Sequence, residues 1–217
     1  MTTKLKLLGH ASFKLTIGDK IIFLDPYGGD TSVYDEKADI ILSSHEHRDH
    51  SDPEKIALVR DDNTKILTSS KNAGNIEGDV ITIDPGQKQV IDNITIYGVH
   101  GYNVRRFRDS GTPFHPKGIQ TAFIIEAENK RIYFAGDTDF IEEMKDLENI
   151  DVAILPIDGH YTMDPDEALD AIVAIKPKMV IPMHWRQNDP KDFKMMVEKK
   201  YKEISVTVLD VGEELEL

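Results

Sequence analysis

Ala38-Asp39-Ile40-Ile41-Leu42-Ser43-Ser44-His45-Glu46-His47-Arg48-Asp49-His50 is the stretch from which the rest of the chain can be read. Residues 38–42 are apolar, short and β-branched, as a buried strand is, and they deliver a cluster of histidine and aspartate onto the loop at the strand's carboxyl end. Imidazole and carboxylate are costly to bury without a partner. A divalent cation is the simplest partner, since both groups ligate zinc, manganese or iron. In an extended segment His45 and His47, two apart, point to one side. Asp49 and His50 are adjacent and diverge, which suits a second cation beside the first. The competing picture, a solvated loop that happens to be rich in histidine, does not account for an H-x-H-x-D-H spacing at a strand end. A zinc helix of the H-E-x-x-H kind starting at His45 is excluded, because it would need histidine where Asp49 stands.

Two cations need about three more ligands, and other strand ends offer them. Asp137 follows the apolar run 132–135 through Gly136, and His184 follows Met179 to Pro182. With H-x-H-x-D-H, the Gly136-Asp137-Thr138 and Pro182-Met183-His184 stretches resemble the ligand motifs of the metallo-β-lactamase superfamily. Leu8-Gly9-His10-Ala11-Ser12-Phe13 followed by Leu24-Asp25-Pro26 resembles the opening of one subgroup, the hydrolases similar to L-ascorbate-6-phosphate lactonase. The resemblance runs from Gly9 to His184. It implies an α/β (α+β) fold, the four-layer αββα sandwich. It also implies two divalent metal ions, zinc foremost with manganese or iron as alternatives, and Asp137 as the carboxylate shared between them. Such a pair lowers the pKa of a bound water from about 15.7 towards 7. Asp49, besides ligating, is the expected catalytic residue that holds the nucleophile and carries its proton. The third ligand motif departs from the family's pattern. The position that fits by spacing is Asn103, a weak ligand, so the imidazole is expected from His115, with His100 as the alternative. The Tyr102-Asn103 and His115-Pro116-Lys117-Gly118 pairs also resemble the subgroup, as does Tyr161-Thr162-Met163-Asp164.

The 217 residues carry 39 acidic against 26 basic side chains, a net charge of −13. That balance opposes nonspecific binding to nucleic acid or an anionic membrane. With no cysteine, disulfides and thiolate ligands are impossible. No run approaches the roughly 18 apolar residues of a membrane helix, and cytoplasmic residence is the expectation. Neither repeats nor linkers are visible, so one domain over 1–217 is expected. Residues 101–120 lack periodicity, and a loop of that length is usually functional or disordered. It holds Arg105, Arg106, Arg108 and Lys117 against one acid, Asp109. Arginine matches phosphate and carboxylate geometry, so the expected substrate is a small anion clamped by this loop, with His10 and His160 as further pocket-lining candidates. A homo-oligomer that orders the loop is an alternative.

Elsewhere, strands are expected at 65–68, 80–83, 89–91 and 94–99, read together as antiparallel sheet, and at 121–127, 131–135, 152–156 and 179–181. Helices are expected from Ser51-Asp52-Pro53-Glu54 to about Val59, at 140–147, from Asp164-Pro165 to about Ile175, and at 193–200 after Asp189-Pro190. Three other classes share these ligands. A nuclease would need a nucleic-acid surface that the charge disfavours. Diiron redox relatives usually carry a flavin domain for which the chain has no room. A binding protein that has lost catalysis should lack a ligand.

Overall fold

A computed structural model describes residues 2–217, and the chain divides into two units. The first draws on residues up to Asp84, on Ile119–Thr121 and on Leu209–Leu217. It contains β1 (Thr3–Gly9), β2 (Ser12–Ile17), β3 (Lys20–Leu24), β4 (Ile40–Ser43), α1 (Pro53–Val59), β5 (Lys65–Thr68) and β6 (Asp79–Thr82). The second comprises Pro85–Gly118 and Ala122–Val208. It contains β7 (Lys88–Ile91), β8 (Ile94–Val99), β9 (Ala122–Ala127), β10 (Lys130–Phe134), β11 (Val152–Pro156), α2 (Pro165–Ile175), β12 (Met179–Met183), α3 (Pro190–Lys200) and β13 (Ser205–Val206). A last strand, β14 (Glu214–Glu216), belongs to the first unit.

The same plan is used twice. In the first unit the strand order is β14-β1-β2-β3-β4-β5-β6, antiparallel as far as β3 and parallel from β3 onward. In the second it is β7-β8-β9-β10-β11-β12-β13, antiparallel as far as β10 and parallel beyond. The mixed α/β class expected from the sequence is therefore observed, with two sheets and three α-helices. Parallel strands lie inside a sheet, and β4 and β11 are buried along their whole length. This is why both read as uninterrupted apolar runs. Leu8, Phe23, Ile41, Ile56, Val59 and Ile66 form one buried cluster that seats α1 on the first sheet.

Each α-helix starts at an Asp-Pro pair: Asp52, Asp164 and Asp189 cap the first turn with their carboxylates, and a proline follows. The cap satisfies an orphan backbone N–H and proline costs none. Two local expectations need correction. Strands β5 and β6 pair in parallel rather than antiparallel, because a short 3-10 turn at Ala73–Asn75 carries the chain back between them. The helix expected at 140–147 is a 3-10 turn over Glu142–Asp146, preceded by Ile141, which offers no capping side chain. Strand β14 was not anticipated; it is a short edge strand, and edge strands carry little apolar periodicity. Among the described residues no helix is long and apolar enough to cross a membrane.

Candidate metal centre

In the first unit, β4 ends at Ser43 and the chain curls at once. His50 and Ser51 both donate backbone N–H groups to the His47 carbonyl, at 2.9 Å each. The H-x-H-x-D-H run is thus a turn and not the extended segment expected, yet its donors still converge. His45 Nε2 lies 3.0 Å from His47 Nδ1. Asp49 and His50 do not diverge as adjacent residues of a strand would, because the turn brings Asp49 Oδ2 to 3.9 Å from His50 Nε2. His10 approaches the same oxygen, its Nε2 3.3 Å from Asp49 Oδ2, and packs edge-on to His50.

A second carboxylate supports this cluster. Asp25, fully buried at the end of β3, accepts the Ser44 backbone N–H at 2.6 Å and the Ser44 hydroxyl at 2.7 Å. Its Oδ2 also lies 2.6 Å from His50 Nδ1. Burial pushes this carboxyl up from its ordinary range, while His50 and Ser44 pull it back. With Nδ1 of His50 committed to Asp25, Nε2 is the nitrogen with a lone pair for a cation, the usual arrangement of a carboxylate behind a ligating imidazole. His45 Nδ1 is similarly 2.9 Å from the Ser44 hydroxyl.

The second unit holds a matching set. Asp137, past β10, has one carboxylate oxygen, Oδ2, at 3.4 Å from His115 Nε2 and also at 3.4 Å from His184 Nε2. All three side chains are buried. Behind His115 stands Asn103, whose Oδ1 is 2.8 Å from His115 Nδ1. Behind His184 stands Asp158, 3.9 Å from Nδ1. Non-glycine residues with positive φ recur at these positions: His10 (53°), Asp25 (43°) and His184 (47°). Such backbone conformations are sparsely populated and collect at functional sites. His100, the other candidate for the third motif, instead lies edge-on to Tyr102 and lines a separate cavity of about 460 Å³ with Tyr97, Ile124 and Met144. Each unit therefore carries a His/Asp cluster with the donor chemistry of a divalent metal site: imidazoles beside carboxylates, with Asp25 behind His50 and Asn103 behind His115.

The basic loop behaves differently from the expected clamp. Arg106 is nearly buried and spent on three acids: Asp139 Oδ1 at 2.8 Å, Asp164 Oδ2 at 3.0 Å, and Glu167. Its guanidinium charge is thus already matched by acids of the protein, which argues against the expected role as an anion ligand. Lys117 is paired with Glu143 at 2.7 Å, a carboxylate held also by the Tyr102 hydroxyl, so it too is committed. Arg105 and Arg108 remain exposed, with only long polar contacts at 3.8 Å to Glu167 and 3.5 Å to the Phe114 carbonyl. They line a cavity of about 690 Å³ with Phe114 and His160. His160 packs at a tilt against Phe114 and edge-on to Tyr161. Asp25, Asp139, Asp158 and Glu167 went unassigned in the sequence. Their signal was weak but present, since Asp25 and Asp158 each lie just past a strand end and Asp139 sits two residues beyond Asp137.

Residues 4–184 match the family model described as the β-lactamase superfamily domain. A UPF0173 metal-dependent hydrolase of Thermococcus kodakarensis is 36% identical, with 99% of each chain covered. Among solved structures, one from Parabacteroides distasonis superposes with a TM-score of 0.86 at 32% identity, over 95% of this chain and 92% of the other. A metallo hydrolase from Ignicoccus hospitalis gives 0.83 at 26% identity, over 100% and 99%. With most of its length inside that model and a relative 36% identical over nearly the full length of both chains, this protein belongs to the metallo-β-lactamase superfamily, in the family of UPF0173 metal-dependent hydrolases.

Proposed function

We propose that residues 1–217 act as one metallo-β-lactamase-fold domain that hydrolyses a small anionic lactone, ester or phosphoester with two divalent cations. His45, His47 and His115 would hold one cation, and Asp49, His50 and His184 the other, with Asp137 shared. The observation that carries this reading is the position of Asp137 Oδ2, equidistant from His115 Nε2 and His184 Nε2. A carboxylate that serves two sites at once must offer itself to both imidazoles. Zinc suits the imidazole-rich set, and manganese or iron would also fit it. When bound, the cations supply a nucleophile of hydroxide strength at neutral pH and polarise the bond under attack.

The chain's own residues do the rest. Asp49 is partly exposed and close to His10, so it can hold the nucleophile in line and pass its proton to the leaving group. Asp25 keeps His50 in the tautomer a ligand needs. Arg105 and Arg108 supply charge to a cavity of about 690 Å³, within the roughly 300–1,000 Å³ of small-molecule sites. Phe114 and His160 give that cavity an aromatic wall. The lactonase-like opening, Leu8 to Phe13, supports a sugar-acid or similar lactone within this class. The charge of −13 favours a small molecule over nucleic acid or a membrane surface, and cytoplasmic residence is the reading for location.

The test is a panel of lactones, aryl esters, phosphomonoesters and phosphodiesters offered to zinc- or manganese-loaded protein. Hydrolysis of at least one anionic member is expected, abolished by a chelator and restored by metal. Arg105→Ala and Arg108→Ala should each raise KM on that substrate about tenfold with kcat little changed, as loss of uniform binding does. Hydrolysis that survives complete metal removal would contradict the reading, as would inertness across the panel.

A further inference from the structure

Asn103 is 3% exposed and every polar atom of its side chain is committed. Its Oδ1 accepts the backbone N–H of His115 at 2.8 Å and faces His115 Nδ1 at 2.8 Å. Its Nδ2 donates to Asp139 Oδ1 and to the Tyr161 carbonyl, both at 3.0 Å. The backbone pairs as well, Asn103 N–H donating to the His115 carbonyl at 2.8 Å. These partners determine the amide's orientation. A backbone N–H can only donate and a carbonyl can only accept, so oxygen must face His115 and nitrogen must face Asp139 and Tyr161. An amide oxygen cannot donate. His115 Nδ1 must therefore carry the proton, which leaves the lone pair on Nε2, 3.4 Å from Asp137.

Asp139 in turn is fully buried and held from several sides. Its Oδ2 accepts backbone N–H groups of Val104, Arg105 and Arg106 at 2.8, 2.6 and 3.2 Å. Its Oδ1 takes the Asn103 amide and the Arg106 guanidinium. A carboxylate therefore backs an amide, and the amide backs an imidazole. His50 has the shorter version, a carboxylate directly on Nδ1.

We propose that Asn103 is a positioning residue that sets the tautomer and ring orientation of His115 for metal binding, with Asp139 and Arg106 holding the Asn103 amide against rotation. The proposal rests on the reading of His115 as a metal ligand. It explains why a buried asparagine, poor as a ligand itself, occupies the start of the basic loop, and why Arg106 is turned inward.

Histidine-labelled, metal-free protein at alkaline pH, where imidazoles are neutral, reports each tautomer through two-bond nitrogen–proton correlations. His115 should be the Nδ1–H form in the parent, and Asn103→Ala should convert it to the Nε2–H form or a mixture. Zinc affinity of Asn103→Ala, from competition with a chromophoric chelator, should fall roughly 10–100-fold, the usual effect of losing a residue behind a ligand. An Nε2–H form in the parent would overturn the proposal without any variant. So would Asn103→Ala with tautomer and affinity unchanged. If the parent shows the Nδ1–H form but binds no zinc, the metal-ligand reading of His115 fails instead, and with it the positioning role.

Discussion

Asp49→Asn should lower turnover by about two or more orders of magnitude on any substrate the parent hydrolyses, the usual scale for a positioned acid–base group. The variant should still bind metal. Asp49 Oδ2 lies 3.3 Å from His10 Nε2 and 3.9 Å from His50 Nε2, and the side chain is 40% exposed. Solvent reaches it beside the buried His50, so it can both touch a nucleophile and exchange its proton. Asparagine keeps one oxygen in the same place but cannot accept a proton there. His50 would stay in position because Asp25 holds it independently. Steady-state rates and metal content are measured on the same preparation. Turnover near that of the parent would remove Asp49 from the chemistry.

Arg106→Ala should destabilise the fold by about 3–5 kcal/mol, the range for removing one partner of a buried ion pair. The guanidinium is shared by Asp139 and Glu167, both essentially buried, and by half-exposed Asp164. Without it Asp139 and Glu167 lose their close cationic partner, and only the exposed Arg105 guanidinium, 3.8 Å from Glu167, remains nearby. The loss should depend on pH in a definite direction. Burial already raises Glu167 above the ordinary glutamate range, and Arg106 is the main influence pulling it down. Removing Arg106 raises it further. A carboxyl whose folded pKa lies above its unfolded value stabilises the fold below the unfolded pKa, and that contribution disappears as pH rises through the folded one. The variant should therefore recover part of its deficit as pH falls from neutral towards the glutamate range. Chemical denaturation at two pH values reads this, and Arg106→Lys should fall between the parent and Ala. A deficit under about 1 kcal/mol would mean that these acids are satisfied without the arginine.

The parts legible in the sequence were those carried by local chemistry. Each Asp-Pro helix start works alone, through one cap and one proline, and each was read in place. The apolar runs at β4 and β11 announce buried strands because both faces are covered. The closeness of the H-x-H-x-D-H side chains was readable because six consecutive residues past one strand end cannot lie far apart. The shape of that loop was not readable, since two backbone hydrogen bonds to the His47 carbonyl turned an expected extended segment into a tight turn. The partners of Arg106 were hidden for a different reason. Asp139 is 33 positions away, and Asp164 and Glu167 are 58 and 61. A count of charges along 101–120 could show a basic loop but not that its central arginine faces inward. Asn103 was misleading in the opposite way, since it looked like a lost ligand and instead hydrogen-bonds behind the His115 imidazole.

The count of metal ions per chain tests the central claim most directly. Protein stripped with chelator, reloaded with zinc and freed of excess metal should hold close to two ions per chain by elemental analysis. His184→Ala should lower the count towards one, because His184 is the second imidazole beside Asp137 Oδ2. A reproducible value of one in the parent, unchanged by His184→Ala, would contradict the two-metal account.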